Sequence, residues 1–196
     1  MQKTIHLVLG LCAALGIAAC GSDDGAPVAS AGGASSAPDA LPVIAFVGTD
    51  VGEVRAIPPL GIDGVADEGL CFDVDMFDAA TGERLGQGTD CITVLDDAAD
   101  GNGIQLIGTG TFEFSNGRIV ARGKTSVRPK IPGHGSEPVT HSTMGIPTPG
   151  ENSILEATGD FAGLQASVRL GGAVDLSRLA TDNEITFDCL WNFKPM

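Results

Sequence analysis

Two runs of alternating apolar and polar residues, separated by Asn116-Gly117, constrain this chain more than any other feature. Residues 104–114 and 118–127 both alternate with the period of a half-buried strand, which places their apolar side chains on one face. Asn-Gly between two such runs is a strong hairpin signal because both residues tolerate positive φ. The segment 104–127 is therefore predicted to form an antiparallel β-hairpin.

The same alternation recurs along most of the remaining chain. Residues 69–95 predict a second hairpin around a turn at 79–83, and further strands are predicted at 41–48, 52–57, 153–159, 164–176 and 184–193. Residues 174–180 could form at most one helical turn. Sequential strands linked by hairpins lose their exposed edges when the sheet closes, so we predict an all-β fold, a small closed antiparallel β-barrel of about eight strands. A two-sheet sandwich is the alternative.

Residues 128–152 are the longest stretch without a predicted strand, and they are rich in Gly and Pro. Irregular segments of this length often cover functional sites. We predict a lid over one mouth of the barrel, with Met144 and Ile146 reaching inward. The sequence predicts no metal site and no cofactor.

The first twenty residues have the pattern of a bacterial lipoprotein leader. Lys3 precedes an apolar run that ends in Ala18-Ala19-Cys20, which predicts a signal peptide over 1–19 and lipid attachment at Cys20. Residues 20–40 are a Gly, Ala, Ser and Pro-rich linker, and 41–196 are long enough for one barrel domain. Because Gly21 replaces the Asp that retains lipoproteins at the inner membrane, we predict the periplasmic face of the outer membrane as the location.

The charge balance excludes partners that carry phosphate. The chain has 25 acidic and 11 basic residues, a formal net charge of −14. Such a surface repels nucleic acids and anionic lipid headgroups and keeps the domain soluble. The predicted partners are the membrane, through acylated Cys20, and a small apolar molecule.

Strand register decides what the cysteines of the hairpin at 69–95 can do, because a slip of one residue turns every side chain to the other face. If Phe72 lies opposite Cys91, the Cys91 thiol faces the barrel interior. If Cys71 lies opposite Cys91, the two form a cross-strand disulfide. Cys189 is the third cysteine of the domain.

The first strand of that hairpin offers two carboxylates on one face. Asp73 and Asp75 alternate with Phe72, Val74 and Met76, so one of the two sets lines the interior. Facing outward, the aspartates form an ordinary polar surface. Facing a cavity, they are candidate general acids or bases beside Cys91.

Residues 156–170, which read EATGDFAGLQASVRL, resemble the Gly-rich strand-turn-strand of allene oxide cyclase-like and dirigent-like barrels. Residues 84–92, in which Gly86 leads into a strand with Cys91, resemble a stretch of the same family. The resemblance covers about 70–193. It implies an eight-stranded antiparallel barrel around an apolar cavity, with Cys91 facing that cavity and Phe72, together with Asp73, Val74 or Asp75, lining it. The alternation of the strand gives Phe72, Val74 and Met76 as the candidate cavity-lining set.

The family resemblance makes an isomerase or cyclase the first expectation for function. Where plant members carry a catalytic Glu and a Pro, residues 41–59 offer only Asp50 or Glu53 with Pro58 or Pro59. We therefore do not expect oxylipin cyclisation. The expected function is to bind, and to isomerise or cyclise, a small apolar molecule; the alternative is a non-catalytic ligand-binding or structural surface barrel.

Overall fold

A computed structural model describes residues 41–97, 103–131, 139–146 and 150–196. Nearly all of these residues lie in strands or in the short turns that join them. The strands are β1 (Ile44–Val51), β2 (Glu53–Ala56), β3 (Glu68–Asp78), β4 (Arg84–Asp97), β5 (Ile104–Phe114), β6 (Gly117–Pro129), β7 (His141–Ile146), β8 (Ile154–Ala157), β9 (Ala166–Asp175) and β10 (Glu184–Pro195). One 3₁₀ turn, η1 (Gly159–Phe161), and one short helix, α1 (Leu179–Asp182), complete the described chain.

The strands form one antiparallel sheet that closes on itself. Pairing runs in the order β1, β10, β9, β7, β6, β5, β4, β3, and β3 pairs again with β1. The short strands β2 and β8 are not part of this closed order; β2 pairs with β3, and β8 pairs with β6. The structure therefore confirms the predicted closed barrel of eight strands.

Both predicted hairpins are confirmed. β5 and β6 pair from Phe114 with Gly117 at the turn to Ile104 with Val127 at the open end. β3 and β4 enclose the turn at 79–83, where Asp78 accepts hydrogen bonds from the backbone N–H groups of Ala80 and Thr81. The Gly-rich motif at 156–170 forms β8, η1 and the start of β9, and Gly159 adopts a φ of 61° there, against the Asn116 carbonyl.

The prediction that Met144 and Ile146 reach inward is wrong, because they belong to a strand of the barrel wall within the stretch 128–152 and point outward. β7 pairs with β6 on one side and with β9 on the other. Its pattern is inverted relative to the other strands: Thr143 is buried, whereas Met144 and Ile146 are 65% and 58% exposed. The two apolar side chains therefore point away from the interior. Residues 132–138 and 147–149 lie outside the described residues.

One half of the barrel interior is filled by aromatic rings. Phe112 lies at the centre, with ring centroids 5.0 Å from Phe193, 5.2 Å from Trp191 and 5.3 Å from Phe46. Phe46 packs so closely over Gly88 that a methyl group there would overlap its ring. Interlocked rings of this kind leave no room for a ligand in this half.

A disulfide links β3 and β4 on the outer face of the sheet. Cys71 pairs directly with Cys91 in the β3–β4 register, and their sulfur atoms are bonded. This register contradicts the alternative in which Phe72 lies opposite Cys91. Cys189 has a free thiol and is buried.

Candidate functional site

The other half of the barrel holds a cavity between its strands and α1. The cavity has a volume of ≈ 70 Å³, several times what one water molecule needs. Most of the wall is aliphatic and includes Ile92, Leu106, Val127, Leu170, Val174 and Ile185. Half-buried Leu179 of α1 also contributes to the wall. The cavity is therefore suited to an apolar molecule.

One carboxyl group lies in this apolar wall. Asp90 pairs with Phe72 of β3 and Gly110 of β5, so its side chain shares the inward face of Phe72. The residue is 4% exposed, and its Oδ1 atom has no hydrogen-bond partner among the residues that the structure describes. Burial raises the pKa of Asp90 from 3.8 to about 7, because a charged carboxylate loses its hydration in such a site.

Three further polar side chains line the same cavity, those of Thr125, Thr143 and Cys189. Burial, with a smaller contribution from the charge of Asp90, raises the pKa of the Cys189 thiol to about 12. That thiol is consequently protonated at neutral pH and is a poor nucleophile. None of the described lining residues is basic.

Gly108 leaves the space beside Asp90 open. A methyl group at Gly108 would lie 3.7 Å from Asp90 Oδ1 and 3.8 Å from Thr125 Oγ1, both ordinary contacts. Trp191 Nε1 is also buried without a partner, but Trp191 belongs to the aromatic half and does not line the cavity. Asp90 is therefore the unpartnered polar group that a ligand in this cavity would meet.

Asp73 and Asp75 form the polar outer surface that was one of the two alternatives, and the other alternative, in which they face the cavity as acids or bases, is wrong. Arg55 donates two hydrogen bonds to the Asp73 carboxylate, at 2.9 and 2.8 Å, and Thr89 donates a third. The hydrogen bonds from Arg55 hold the pKa of Asp73 below its usual value. Asp75 accepts hydrogen bonds from Arg84. Both carboxylates are thus occupied by surface partners.

Among the described residues, the others singled out from the sequence do not line the cavity either. Phe72, Val74 and Met76 are buried in the core, as their alternation requires, but none of them lines the cavity. With its sulfur bonded to Cys71, Cys91 offers no thiol. Cys20 lies outside the described residues.

Sequence reasoning missed Asp90, although a signal for it was present. The register that pairs Cys71 with Cys91 also pairs Phe72 with Asp90, the residue after Cys71 in β3 and the residue before Cys91 in β4. Because directly opposed residues share a face, an inward Phe72 requires an inward Asp90.

Comparison with known proteins identifies no family for this chain. No protein-family model matches the chain, and no curated protein is significantly similar to it. Within the described ranges, no group of three or more His, Cys, Asp or Glu side chains is arranged to hold a metal ion. The two described helices have three and four residues, so neither could span a membrane.

Proposed function

We propose that the barrel binds a small apolar molecule in this cavity and isomerises or cyclises it by proton transfer through Asp90. The observation that carries the proposal is Asp90 Oδ1, a carboxyl oxygen that lies in a mainly apolar cavity and has no hydrogen-bond partner among the described residues. Its pKa of about 7 suits a group that both gives and takes a proton near neutral pH. The resemblance to allene oxide cyclase-like barrels supports this reaction class.

Confinement supplies the second part of the proposed mechanism. Aliphatic side chains from several strands would hold a flexible substrate in few conformations, so part of the entropy cost of reaching the reactive geometry is met on binding. They also exclude water, which would otherwise compete for a reactive intermediate. Such a site needs few catalytic residues.

The proposed function includes attachment to the cell envelope through a lipid on Cys20. The leader sequence carries this proposal, and the disulfide between Cys71 and Cys91 supports it because disulfides persist in oxidising compartments such as the periplasm. Chains labelled with radioactive palmitate in the native host should incorporate the label, and Cys20→Ala should not. Equal labelling of both chains would contradict lipid attachment at Cys20.

A pair of glycine substitutions tests whether the cavity is the binding site. Gly108→Ile should place its side chain in the cavity beside Asp90, where the first carbon has room. Gly171→Ile is the matched control, since a carbon added there meets open space and Gly171 does not line the cavity.

Native mass spectrometry of the protein purified from its own host gives the readout. Wild type and Gly171→Ile should retain a bound small molecule, and Gly108→Ile should retain at least about tenfold less, as a blocked cavity requires. Equal retention by all three proteins would place the ligand elsewhere. Absence of a bound molecule from wild type would favour a structural barrel.

A further inference from the structure

The cavity contains one hollow where two oxygen atoms from different strands converge. Gly108 of β5 has no side chain, and the position that a methyl group would take there lies 3.7 Å from Asp90 Oδ1 and 3.8 Å from Thr125 Oγ1. The next nearest atom, the Gly123 carbonyl oxygen, is 4.0 Å away. A ligand atom seated above Gly108 would therefore meet a carboxyl group from β4 and a hydroxyl group from β6.

The two oxygens are placed to contact one polar atom of a ligand. Asp90 Oδ1 has no partner within the described protein, and a buried polar atom without a partner is costly. The adjoining wall is aliphatic, with Ile92, Leu106 and Val127 among its members. The complementary ligand has one polar atom on an otherwise apolar body.

The charges of the lining residues determine which polar group such a ligand could carry. An anion would face Asp90 with no basic side chain among the described lining residues to balance it. An ammonium ion would require Asp90 to be ionised, and burial disfavours that form. A neutral carbonyl oxygen fits best, because a protonated carboxyl and a threonine hydroxyl both donate hydrogen bonds.

We infer that the hollow above Gly108 receives the carbonyl oxygen of a small neutral ketone or aldehyde, with Asp90 and Thr125 as its hydrogen-bond donors. This inference rests on the proposed function and names its substrate class. It also specifies the chemical step, enolisation, which needs no cofactor.

In that step the Asp90 carboxyl group acts at both of its oxygens. The protonated oxygen gives its proton to the carbonyl oxygen of the substrate, and the other oxygen takes a proton from the adjacent carbon. The C–H bond pair becomes the new C=C bond, and the former C=O π pair forms the O–H bond. Asp90 ends with the one proton it began with. When the substrate carries a further C=C bond conjugated with the enol, Asp90 can return a proton to the far carbon of that system while its other oxygen takes back the enol O–H proton, which restores the C=O bond and yields an isomer.

The pH dependence of binding should follow Asp90 alone. The residues that face it are Phe72 from β3, Gly108 and Gly110 from β5, Thr125 from β6 and Cys189 from β10. Only Cys189 among them titrates, and its pKa of about 12 keeps it neutral throughout the test.

Three ring compounds of similar size test the ligand class: cyclohexanone, methylenecyclohexane and cyclohexylammonium. Titrations followed by NMR should show that cyclohexanone binds about tenfold more tightly than methylenecyclohexane at about pH 5, the value of one or two hydrogen bonds. This preference should fall at least about fivefold by about pH 8.5, when Asp90 has lost its proton. Thr125→Val, which keeps the shape and removes the hydroxyl, should weaken cyclohexanone binding without altering methylenecyclohexane binding.

Exchange of the α-hydrogens of cyclohexanone in D₂O tests the step itself. Wild type should accelerate exchange above the buffer rate, and Asp90→Asn should lower the acceleration at least about 100-fold, the usual scale of general acid–base catalysis. Asn keeps a hydrogen-bond donor, so Asp90→Asn should still bind cyclohexanone, now without pH dependence.

Two kinds of failure can be told apart. Equal binding of the two neutral rings, or tighter binding of cyclohexylammonium above pH 7, would overturn the carbonyl inference and leave a binding cavity in place. Failure of all three rings to bind, with no difference between wild type and Gly108→Ile, would overturn the inference together with the proposed function.

Discussion

Replacing Asp90 with asparagine is expected to raise the free energy of unfolding at about pH 8.5 by about 4 kcal/mol. In the folded protein the pKa of Asp90 is raised from 3.8 to about 7 by burial. Between these values the unfolded chain is ionised while the folded protein keeps the proton. Stability therefore falls as pH rises from about 4 to about 7, and the full cost remains above that range. Asparagine avoids the cost because it does not ionise.

Urea unfolding across the pH range measures this effect. At about pH 3.5 wild type and Asp90→Asn should have similar stabilities, since both carry a neutral side chain there. Asp75→Asn is the matched control: it removes an exposed ion pair with Arg84, which is worth at most about 1 kcal/mol. If Asp90→Asn destabilised the protein equally at every pH, Asp90 would be an ionised residue with a structural partner, contrary to its placement in the cavity.

Phe112→Ala is expected to lower the free energy of unfolding by about 3–5 kcal/mol, the usual cost of removing a buried aromatic ring. Phe112 is 0% exposed and contacts the rings of Phe46, Trp191 and Phe193, so its removal leaves a void bounded by three rigid side chains. Those side chains cannot collapse to fill it. Denaturant unfolding at one fixed pH measures the loss.

Phe114→Ala provides the control for that measurement. Phe114 is half-buried and packs at a tilt against Phe161 near the turn between β5 and β6, away from the aromatic centre. Its removal should cost clearly less than removal of Phe112. A larger loss for Phe114→Ala would mean that the barrel is not stabilised by the filled half of its interior.

The fold was largely predictable because alternation and turn chemistry act locally. Asn116-Gly117 places the β5–β6 hairpin, and the alternating runs on either side of it fix which face is buried. β7 was missed because it reverses the usual pattern, with Thr143 inside and Met144 outside. Its inward side is polar and small, and its neighbours in the sequence are rich in Gly and Pro.

The candidate site was predictable only in part, for a related reason. Sequence reasoning assumes that charged residues face water, and it therefore sought inward carboxylates only where two occurred together, at Asp73 and Asp75. Arg55 and Arg84 hold both of these on the outer face. Asp90 is an exception to this assumption because it occupies an inward position. The alternation of β4 alone does not reveal that position; it becomes evident only once the register with β3 is fixed.

The central prediction is that the pKa of the Asp90 carboxyl group is raised, and ¹³C NMR of protein labelled at aspartate side chains measures this pKa directly. Titration of the carboxyl resonances should reveal one group with a midpoint at about 7, absent from Asp90→Asn. A midpoint near the ordinary value of about 3.9 would show that Asp90 is solvated or paired, and would contradict a proton-transfer group in the cavity.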